Sequence, residues 1–557
     1  MQHRMNIDQL KKDLQGEVLT DESSRGKYRH DASLFDIVPT LVVRPKSVDD
    51  IKVLVREVSD ACKKGERISL TARAGGTDMS GGALTESIVV DFSTYFTRME
   101  PAEGLLHFTG ASSEGYVVVE PGVFYRDFEK KVAEKKFLLP SYPASRGLCA
   151  IGGMVSNDSG GEKTLRYGKT HDYVRRIKVV LSDGNEYEIK PLTPEELKVK
   201  ESLQTFEGKI YREMHALIDA HQEEIHNAKP RVSKNSSGYN LWDIWDGKRF
   251  DLTKVFIGAQ GTLGLITEVE FRLIAQKPFA GMVILFLRSI DEVVPVVERV
   301  MPFNPSSFES FDDKTFSLAL KYFWGFLKIL AKNPISLMLA FIPDFLFVLW
   351  RGVPKMILLV EFEGDSQEEV NQSIKEVTNA LLPLHIATRV AHTHAQAEKY
   401  WAIRRESFNL LRQKVRGVQA APFVDDLIVA PKHIPTFLPK LYSILEKHNV
   451  FSTIAGHVGD GNFHIIPLMK LADSTERAKI RPIMDEVYAL ILEHDGSITA
   501  EHNDGLIRTA YVPRQFGEKV NILFEKVKEI FDPLNIFNPG KKVHGDIEYA
   551  MRHIKTE

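Results

Sequence analysis

The stretch GHVGDGNFH, residues 456–464, contains side chains that could bind a metal ion. His457 and His464 lie seven positions apart, among three glycines, an aspartate and an asparagine. The glycines disfavour a helix, since each costs about 1 kcal/mol relative to alanine. One interpretation is a hairpin turn at residues 460–462 that the histidines merely flank. The other is that the turn brings both imidazoles to one point as metal ligands.

Glycine-rich loops elsewhere in the chain could bind an anion. The stretch RAGGTDMSGGAL, residues 73–84, follows a predicted strand, and glycine pairs recur within residues 150–174. Glycine lets a backbone approach phosphate oxygens closely, and neighbouring free N–H groups form an anion nest. The first loop has neither the G-x-G-x-x-G nor the P-loop pattern. Any one of these loops, taken singly, is better explained as a simple turn.

Alternating strands and helices must position these loops. Strands are predicted in TLVVRP, in SIVVDFS and before the glycines of RISLTARAGG, and Ser47 is predicted to cap a helix. The stretch VRRIKVVLSDGNEYEI is predicted to be a hairpin that turns at Asp183 to Asn185. The stretch KVFIGAQGTLGLITEVEFRLI is predicted to be a strand, a glycine-rich loop and a strand. This alternation predicts a mixed α/β module up to about residue 275.

The second half begins with a repeated pattern. Residues 280–300 and residues 356–385 each contain a strand followed by a helix, and Asp365 or Ser366 is the predicted cap of the second helix. Strand and helix repeated twice are the components of a ferredoxin-like sheet.

A strongly apolar insert, residues 316–354, lies between these two halves. Lysines punctuate its first part, and a Pro-Asp pair at residues 343–344 breaks its most apolar run. A spanning helix needs about 20 apolar residues with few charges, so we reject a transmembrane helix. Two interpretations stay open: helices buried as a cap over a pocket, or a segment lying in a membrane interface with lysines toward the headgroups.

The composition bounds the class of protein. The 557 residues are 43% hydrophobic and 26% charged, which is typical of a globular chain of several domains. A net charge of -3 gives no basic footprint, so nucleic-acid binding is not expected. Cys62 and Cys149 are too few for an iron–sulfur cluster and favour a reducing compartment. The first residues lack an apolar signal core, so we expect no secretory peptide and a cytoplasmic protein.

Four stretches in order carry a family resemblance. They are the loops at residues 73–84, 150–174 and 258–273, and FNPGKKV at residues 537–543. Together with KYRHDASLFDIVP, KNSSGYNLWD and YWAIRRES, they resemble the FAD-linked oxidases of the vanillyl-alcohol-oxidase (PCMH-type) superfamily. The closest branch is that of the D-lactate, glycolate and D-2-hydroxyglutarate dehydrogenases. The resemblance covers nearly the whole chain except the apolar insert.

The resemblance implies an α+β architecture around a flavin. A two-part PCMH-type FAD-binding domain is expected at residues 1–275, and a ferredoxin-like cap or substrate domain, carrying the insert, at residues 276–520. A C-terminal helical segment, residues 521–557, is expected to return to the flavin. The residues implied to bind FAD are Arg73, Ala74, Gly75, Gly76, Thr77, Asp78, Ser80, Gly152, Gly153, Asn157, Gly160, Gly161, Tyr167, Gly261, Gly264, Ile266 and Asn538.

The resemblance also gives a role to the histidine stretch. It implies that His457, His464 and Glu501 bind a divalent metal, for which zinc or manganese suits the donor types. The adjacent His502 is implied to be the general base, since an imidazole titrates near neutral pH. Arg404 is implied to bind a substrate carboxylate through two N–H groups of its guanidinium.

The chain departs from the family pattern at two places. Asn503 follows the Glu-His pair where the family usually has glycine; asparagine can take a positive φ, but we expect it to narrow the space beside the substrate. The 2-hydroxyglutarate enzymes use a threonine and a lysine for the distal carboxylate. Here Phe408 takes the place of the threonine, and APFVDDLIVAP offers no lysine. This favours a substrate with a small or apolar side chain over a dicarboxylate.

The expected activity is oxidation of a D-2-hydroxy acid, such as D-lactate, by an FAD-dependent dehydrogenase. The expected electron acceptor is a quinone, a cytochrome or an electron-transfer protein, with contact to the inner face of a membrane through residues 316–354 if the insert is interfacial. The alternatives are the flavin subunit of a glycolate-oxidase-like assembly and an oxidase that uses O₂.

Overall fold

The computed structural model describes residues 5–100, 114–321, 352–393, 396–401, 403–404 and 418–556. Within these ranges the chain forms three sheets. Most of the apolar insert, including two of its three lysines and both of its tryptophans, lies outside the described residues, and so does Phe408.

The first sheet is largely parallel and has the order β1-β2-β4-β3. Its strands are β1 (Glu17–Leu19), β2 (Leu41–Arg44), β3 (Leu70–Arg73) and β4 (Ile88–Asp91). The helix Val48–Lys63 packs beside it through Ile51, Leu54 and Val58, and the Ser47 side chain accepts a hydrogen bond from Asp50 N. The predicted strands and the predicted cap are confirmed. Because β2, β4 and β3 are parallel, the loop after β3 leaves the sheet at the same edge as the segments after β2 and β4.

The second sheet has the order β5-β6-β10-β8-β9, with β7 also paired to β10. Its strands are β5 (Met99–Glu100), β6 (Glu114–Val119), β7 (Phe137–Leu138), β8 (Val174–Val180), β9 (Glu186–Ile189) and β10 (Leu265–Ala275). The predicted hairpin of β8 and β9 is confirmed, with Gly184 at a φ of 73° in its turn.

One predicted strand of this region is wrong. The segment before the glycine-rich loop forms a four-residue helix, Thr253–Phe256, instead of a strand. Asp251 explains the difference, because its carboxylate accepts hydrogen bonds from Thr253 N and Thr253 Oγ1 and so starts a helical turn.

The third sheet is antiparallel, with the order β14-β11-β13-β12-β17-β18-β15 and β16 also paired to β18. Its strands are β11 (Phe279–Leu287), β12 (Ser307–Asp312), β13 (Met356–Gly364), β14 (Ala387–Ala391), β15 (Gln419–Ala420), β16 (Leu427–Ile428), β17 (Phe451–His457) and β18 (Asn462–Met469). The first four strands alternate with the helices Val293–Val300 and Gln367–Leu381 as in a ferredoxin-like unit. Ser366, not Asp365, accepts the capping hydrogen bond from Glu369 N.

The C-terminal residues pack back onto the first sheet. The backbone N of Leu70 in β3 donates to Ile536 O, and Asn538 N donates to Leu70 O. The other α-helices of the described ranges are Ile7–Asp13, Glu22–Gly26, Tyr125–Ala133, Ile151–Asn157, Thr164–Tyr167, Pro194–Ser202, Phe206–Ala220, Gln222–Ala228, Asp313–Lys321, Ile434–Lys447, Ser474–Arg477, Ile480–Glu493, Gly505–Arg508, Val512–Phe531 and Ile547–Arg552. Within the part of the chain that the structure describes, none of the helices is both long and apolar enough to cross a membrane.

Candidate active site

A cavity of about 470 Å³ lies where the loops of the first two sheets face the β17–β18 hairpin. One end is lined by the glycine loops after β3 and before β10 and by the helix Ile151–Asn157. The other end is lined by Arg404 and by the groups singled out in the histidine stretch. Loops suited to an extended anion and side chains suited to acid–base chemistry thus share one cavity.

Most of the residues expected to bind FAD line this cavity. They are Arg73, Ala74, Gly75, Gly76, Thr77, Asp78, Gly152, Gly153, Asn157, Gly160, Gly261, Gly264 and Ile266. Gly76 has a φ of 65°, which favours glycine. A Cβ on Gly75 would lie 2.7 Å from Leu148 O, whereas a Cβ on Gly153 would meet nothing within 4 Å. The open space beside Gly153 suits close approach of a phosphate-bearing ligand to the backbone, so the cradle fits the expected FAD.

Ser80 and Asn538, also expected to bind FAD, do not line the cavity. Ser80 Oγ lies 2.8 Å from Asp78 Oδ2, and this contact stabilises the glycine loop on the side away from the cavity. Asn538 Nδ2 donates to Gly82 O at 2.8 Å and to Gln260 O at 2.7 Å. Asn538 therefore joins two of the cavity loops to each other, because the chain returns to β3 at this point, whereas this contact of Ser80 lies within a single loop.

Gly161 and Tyr167 are likewise outside the cavity lining. A Cβ on Gly161 would lie 2.2 Å from Tyr142 O, so this glycine is required by a close approach of two backbone segments. Tyr167 OH donates to Glu363 Oε2 of β13 at 3.1 Å. Its position is explained by packing between the second and third sheets.

The histidine stretch forms a hairpin that also brings its two imidazoles together. His457 ends β17 and His464 lies in β18, across a turn in which Gly461 has a φ of 74°. The two ring centroids are 5.2 Å apart, and both rings line the cavity. The His464 ring also stacks on His502, with centroids 5.0 Å apart. The stretch therefore forms a hairpin turn and also brings its two imidazoles together, so the two interpretations of it are compatible.

Glu501 lies between an imidazole and a buried lysine. Its Oε2 is 3.5 Å from His457 Nε2, and its Oε1 accepts a hydrogen bond from Lys234 Nζ at 2.7 Å. Lys234 also lies 3.0 Å from Asp460 Oδ2. Burial opposes ionisation of Glu501, but the charges of Lys234 and His457 hold its pKa well below the usual range. The carboxylate is therefore ionised, with one oxygen facing His457.

His502 is held by a buried aspartate. Its Nδ1 lies 2.6 Å from Asp425 Oδ2, and Asp425 Oδ1 lies 3.3 Å from His464 Nδ1. Burial opposes protonation of His502, but Asp425 and Asp426 raise its pKa to about 9. Burial lowers the pKa of His464. The Asp425 contact fixes the orientation of the His502 ring and leaves Nε2 as the nitrogen that can exchange a proton.

Glu309 of β12 contacts both His457 and Arg404. Its Oε1 lies 2.5 Å from His457 Nδ1, and its Oε2 accepts from Arg404 Nε at 3.1 Å. Burial opposes protonation of His457, but the Glu309 carboxylate raises the pKa of this imidazole to about 9. A bound cation would replace that proton, because metals bind neutral imidazole.

The most compact group of metal-type donors differs from the expected one. The ligand atoms of Asp426, His464, Glu501 and His502 all lie within 4.8 Å of one another. Asp426 Oδ2, however, already accepts hydrogen bonds from backbone N atoms of residues 500–502 and from Thr499 Oγ1. Asp426 Oδ1 accepts from Asn462 Nδ2 at 3.1 Å, so both oxygens of this carboxylate already have partners. The donor chemistry therefore still fits a cation held by imidazoles and Glu501.

Asn503 takes the positive φ expected of it, at 66°. Its side chain does not line the cavity. Instead Nδ2 donates to Gly258 O at 2.8 Å and Oδ1 accepts from Lys542 Nζ at 2.8 Å. The expected narrowing beside the substrate is therefore wrong, because the amide points toward the FAD-side loops and a buried lysine.

Four residues of the site were not singled out from the sequence. They are Lys234, Glu309, Asp425 and Asp426. The adjacent aspartates within the apolar stretch APFVDDLIVAP were an available signal, since buried carboxylates require partners. Glu309 gave no such signal, because its importance arises from pairing of β12 with β17.

Comparison with known families and proteins agrees with this architecture. Residues 39–190 match the FAD binding domain family, and residues 278–542 match the family described as FAD linked oxidases, C-terminal domain. The chain is 26% identical to D-2-hydroxyglutarate dehydrogenase of Escherichia coli (strain K12), over 94% of this chain and 50% of that protein. The chain thus spans about half the length of that relative.

Other relatives are similar in length to this chain. It is 24% identical to glycolate oxidase subunit GlcD of Bacillus subtilis (strain 168), over 94% of this chain and 93% of that protein. It is 25% identical to D-lactate dehydrogenase of Anaerostipes hadrus, over 96% of each. Among solved structures, 4-ethylphenol oxidase from Gulosibacter chungangensis superposes with a TM-score of 0.68 at 16% identity, over 98% of this chain and 97% of that chain. That likeness shows the fold.

Proposed function

Because the chain matches the FAD binding domain family and the C-terminal domain family of FAD linked oxidases, we propose that it is a member of the vanillyl-alcohol-oxidase superfamily and an FAD-dependent dehydrogenase of a D-2-hydroxy acid. The observation that carries the proposal is the shared cavity. Arg404, His457, His464, Glu501 and His502 line the same space as the glycine loops. The relatives named above, which act on D-2-hydroxyglutarate and D-lactate by name, support this class of substrate.

Residues 1–275 and 521–557 are proposed to hold FAD, and residues 276–520 to supply most of the groups around the substrate. FAD, when bound, supplies an acceptor for the two electrons of the oxidised alcohol. The loop after β3, the helix Ile151–Asn157 and the loop before β10 would hold it, because these segments line the cavity.

His457, His464 and Glu501 are proposed to hold a divalent cation, zinc or manganese, which would supply a Lewis acid beside the substrate. Two imidazoles and one carboxylate are a suitable donor set. Lys234 occupies Oε1 of Glu501, which leaves Oε2 as the oxygen that faces His457.

Acid–base chemistry and binding are assigned to two further side chains. His502 would take the hydroxyl proton at Nε2 in its neutral form, which the positive charge of a bound cation nearby would favour by lowering the pKa of the imidazole. Nε2 is assigned because Nδ1 is hydrogen bonded to Asp425. Arg404 would bind the substrate carboxylate, since a guanidinium pairs well with a carboxylate. The Arg404 side chain lines the cavity together with His502 and His464.

The cavity favours a monocarboxylate of small or apolar side chain, such as D-lactate. Besides Arg73 at the end of β3, Arg404 is the only lysine or arginine among the described residues that line it. Thr315, Ala455 and Ile466 line the same cavity, and they offer no charge to a second carboxylate.

The electron acceptor is proposed to be a quinone, a cytochrome or an electron-transfer protein. Two alternatives are kept: the flavin subunit of a glycolate-oxidase-like assembly, which the similarity to GlcD supports, and an oxidase that uses O₂. Assays of the purified single chain separate them. A dehydrogenase reduces an artificial dye alone, an oxidase consumes oxygen, and an assembly subunit needs its partner chains.

The apolar insert is proposed to place the protein on a membrane surface. This proposal rests on sequence, since residues 322–351 lie outside the described part of the structure. Aromatic residues with interspersed lysines are typical of segments that lie in a membrane interface.

A panel of substrates tests the proposed function. The kcat/KM for dye reduction should be measured with D-lactate, L-lactate, glycolate and D-2-hydroxyglutarate. We expect D-lactate to be preferred over its L enantiomer and over the dicarboxylate. Preference for D-2-hydroxyglutarate would contradict the proposal that the substrate has a small or apolar side chain. Activity with none of the acids would contradict the proposed function itself.

A further inference from the structure

We infer that Glu309 is a positioning residue that fixes His457 and Arg404 relative to each other. The inference rests on the proposed function, in which these two side chains hold the metal and the substrate carboxylate. Glu309 is 1% exposed, and each oxygen of its carboxylate has a different partner. Oε1 accepts from His457 Nδ1 at 2.5 Å and Oε2 accepts from Arg404 Nε at 3.1 Å.

The sheet explains why Glu309 can make both contacts. Strand β12 pairs with β17 through Ser310 opposite Gly456, so Glu309 lies beside the end of β17 where His457 is found. Arg404 belongs to a different segment, 95 positions further along the chain. A single rigid strand therefore sets the position of two groups that reach the cavity from separate elements.

The contact to His457 has a defined chemical consequence. With Nδ1 hydrogen bonded to Glu309, Nε2 is the nitrogen directed toward Glu501, at 3.5 Å from Oε2. A carboxylate behind a metal-binding imidazole orients the ring and raises its basicity, and removing such a partner typically costs about 10- to 100-fold in metal affinity.

The contact to Arg404 limits where the guanidinium can lie. The neighbouring Trp401 is anchored separately, through Nε1 to Glu361 Oε1 at 3.1 Å. Loss of Glu309 would therefore leave this segment attached to the sheet while removing the hydrogen bond between the Glu309 carboxylate and Arg404 Nε. The expected result is weaker binding of the substrate carboxylate, with the backbone in place.

Glutamate is the side chain that satisfies both partners. A glutamine has one acceptor oxygen, so its amide N–H₂ would face either the Nδ1–H of His457 or the Nε–H of Arg404. Glu309→Gln should therefore damage one of the two functions more than the other, whereas Glu309→Ala should damage both.

A merely structural role predicts a different outcome. If Glu309 only neutralised buried charge, its loss would lower the melting temperature without changing metal affinity or KM. Glu361→Gln is the matched control. Glu361 lies on the adjacent strand β13, is 3% exposed, and is paired with Lys163 Nζ at 2.5 Å. It contacts neither His457 nor Arg404 through any hydrogen bond or ion pair that the described residues show. Glutamine keeps an acceptor oxygen for Trp401 Nε1, so the segment that carries Arg404 stays anchored in this variant.

The experiment compares wild type, Glu309→Ala, Glu309→Gln and Glu361→Gln as FAD-loaded proteins. It measures Kd for Zn²⁺ and Mn²⁺ by competition with a chelating dye, KM and kcat for D-lactate, and the melting temperature. We expect Glu309→Ala to raise the metal Kd about 10- to 100-fold and KM about tenfold. Glu361→Gln should lower the melting temperature and leave Kd and KM within twofold of wild type.

Two results would overturn the inference. One is a folded Glu309→Ala protein whose metal Kd and KM are both within twofold of wild type. If that variant does not fold, a Glu309→Gln protein with both quantities unchanged has the same meaning. A wild-type protein that binds the metals but oxidises no hydroxy acid would instead contradict the proposed function, while the metal Kd of the variants still tests Glu309.

Discussion

The side chains around the cavity divide into donors that would hold a cation and one base. His457→Ala, His464→Ala and Glu501→Ala should each abolish turnover and lower metal content, while FAD stays bound, because the glycine loops are intact. His502→Ala should keep the metal and lose roughly two to four orders of magnitude in rate. Metal analysis, flavin absorbance and dye-linked kcat check these outcomes. A chelated, metal-free wild type with full activity would contradict the metal assignment.

Lys541 provides a prediction about pH. Its Nζ donates to Leu84 O at 2.9 Å, and burial lowers its pKa to about 8, although Asp31 and Asp78 act in the other direction. At a pH between about 8 and the ordinary pKa of a lysine, the unfolded chain binds a proton at Lys541 and the folded chain does not. The folded state therefore gains stability as pH rises through this window.

The measurement compares the free energies of unfolding of the FAD-free wild type and of Lys541→Met. The free energy of unfolding of wild type, minus that of Lys541→Met, should increase by roughly 3 kcal/mol between about pH 7.5 and about pH 10.5. Each tenfold difference in proton affinity corresponds to about 1.4 kcal/mol. Titrating groups that do not interact with Lys541 cancel in this comparison. A difference that stays constant with pH would show that Lys541 titrates normally.

At the scale of elements, Asp426 holds the segment that carries Glu501 and His502. Its Oδ2 accepts from the backbone N atoms of residues 500–502 at 2.8, 2.7 and 2.8 Å. Asp426→Ala would leave the backbone N atoms of Glu501 and His502 and the hydroxyl of Thr499 without this acceptor, at roughly 1–3 kcal/mol each, whereas Ala500 N would keep its bond to the Asp426 backbone O. We expect a loss of at least ~3 kcal/mol in stability, measured by thermal unfolding.

Two variants serve as controls for Asp426. Asp426→Asn keeps a side-chain oxygen and tolerates the φ of 68° at this position, so it should lose less stability than the alanine variant. Asp473→Ala removes an exposed helix cap that accepts from Thr475 N, and should cost about 1 kcal/mol. Equal losses for Asp426→Ala and Asp473→Ala would contradict the role of Asp426.

Local patterns predicted many elements correctly, and failed where distant segments meet. Ser47, Ser366 and the hairpin at Gly184 follow from short-range capping and turn preferences. Asn538 was expected at the cofactor, but its amide joins Gly82 and Gln260, which are 456 and 278 positions away. No local periodicity encodes such contacts, since they arise from packing of the sheets.

The same limit applies to the proposed catalytic groups. The histidines and Glu501 could be proposed as metal ligands from a family resemblance, and the hairpin between β17 and β18 places the centroids of the two imidazoles 5.2 Å apart. Glu309 and Asp425 could not, because their roles depend on strands and loops that are distant in sequence. For Asn503 the local prediction was only half correct. Its positive φ was predicted, but its side chain donates to Gly258 O and does not lie beside the proposed substrate space.

At the scale of the whole molecule, a deletion within the apolar insert tests what this segment does. Thr315 lines the cavity and Phe316 is buried, so a deletion should be limited to residues 322–351. We expect this deletion to leave dye-linked activity largely intact and to abolish binding to vesicles that contain anionic lipid, because interfacial segments bind by apolar burial and charge attraction. Vesicle co-sedimentation measures the outcome.

The full-length protein is the reference for that experiment. Absence of vesicle binding by the full-length protein at low salt would contradict the interfacial interpretation. The insert would then be better explained as a cap, and its deletion should damage folding or raise KM for the hydroxy acid.

The central claim is that the shared cavity joins a flavin to the chemistry of a D-2-hydroxy acid. The most direct measurement is the absorbance spectrum of the purified, FAD-loaded and metal-loaded chain under anaerobic conditions, before and after addition of D-lactate or L-lactate. The account predicts that D-lactate bleaches the flavin absorption of wild type, that L-lactate does not, and that His502→Ala is bleached far more slowly. A flavin that stays oxidised with D-lactate and with every other D-2-hydroxy acid tested would contradict the account.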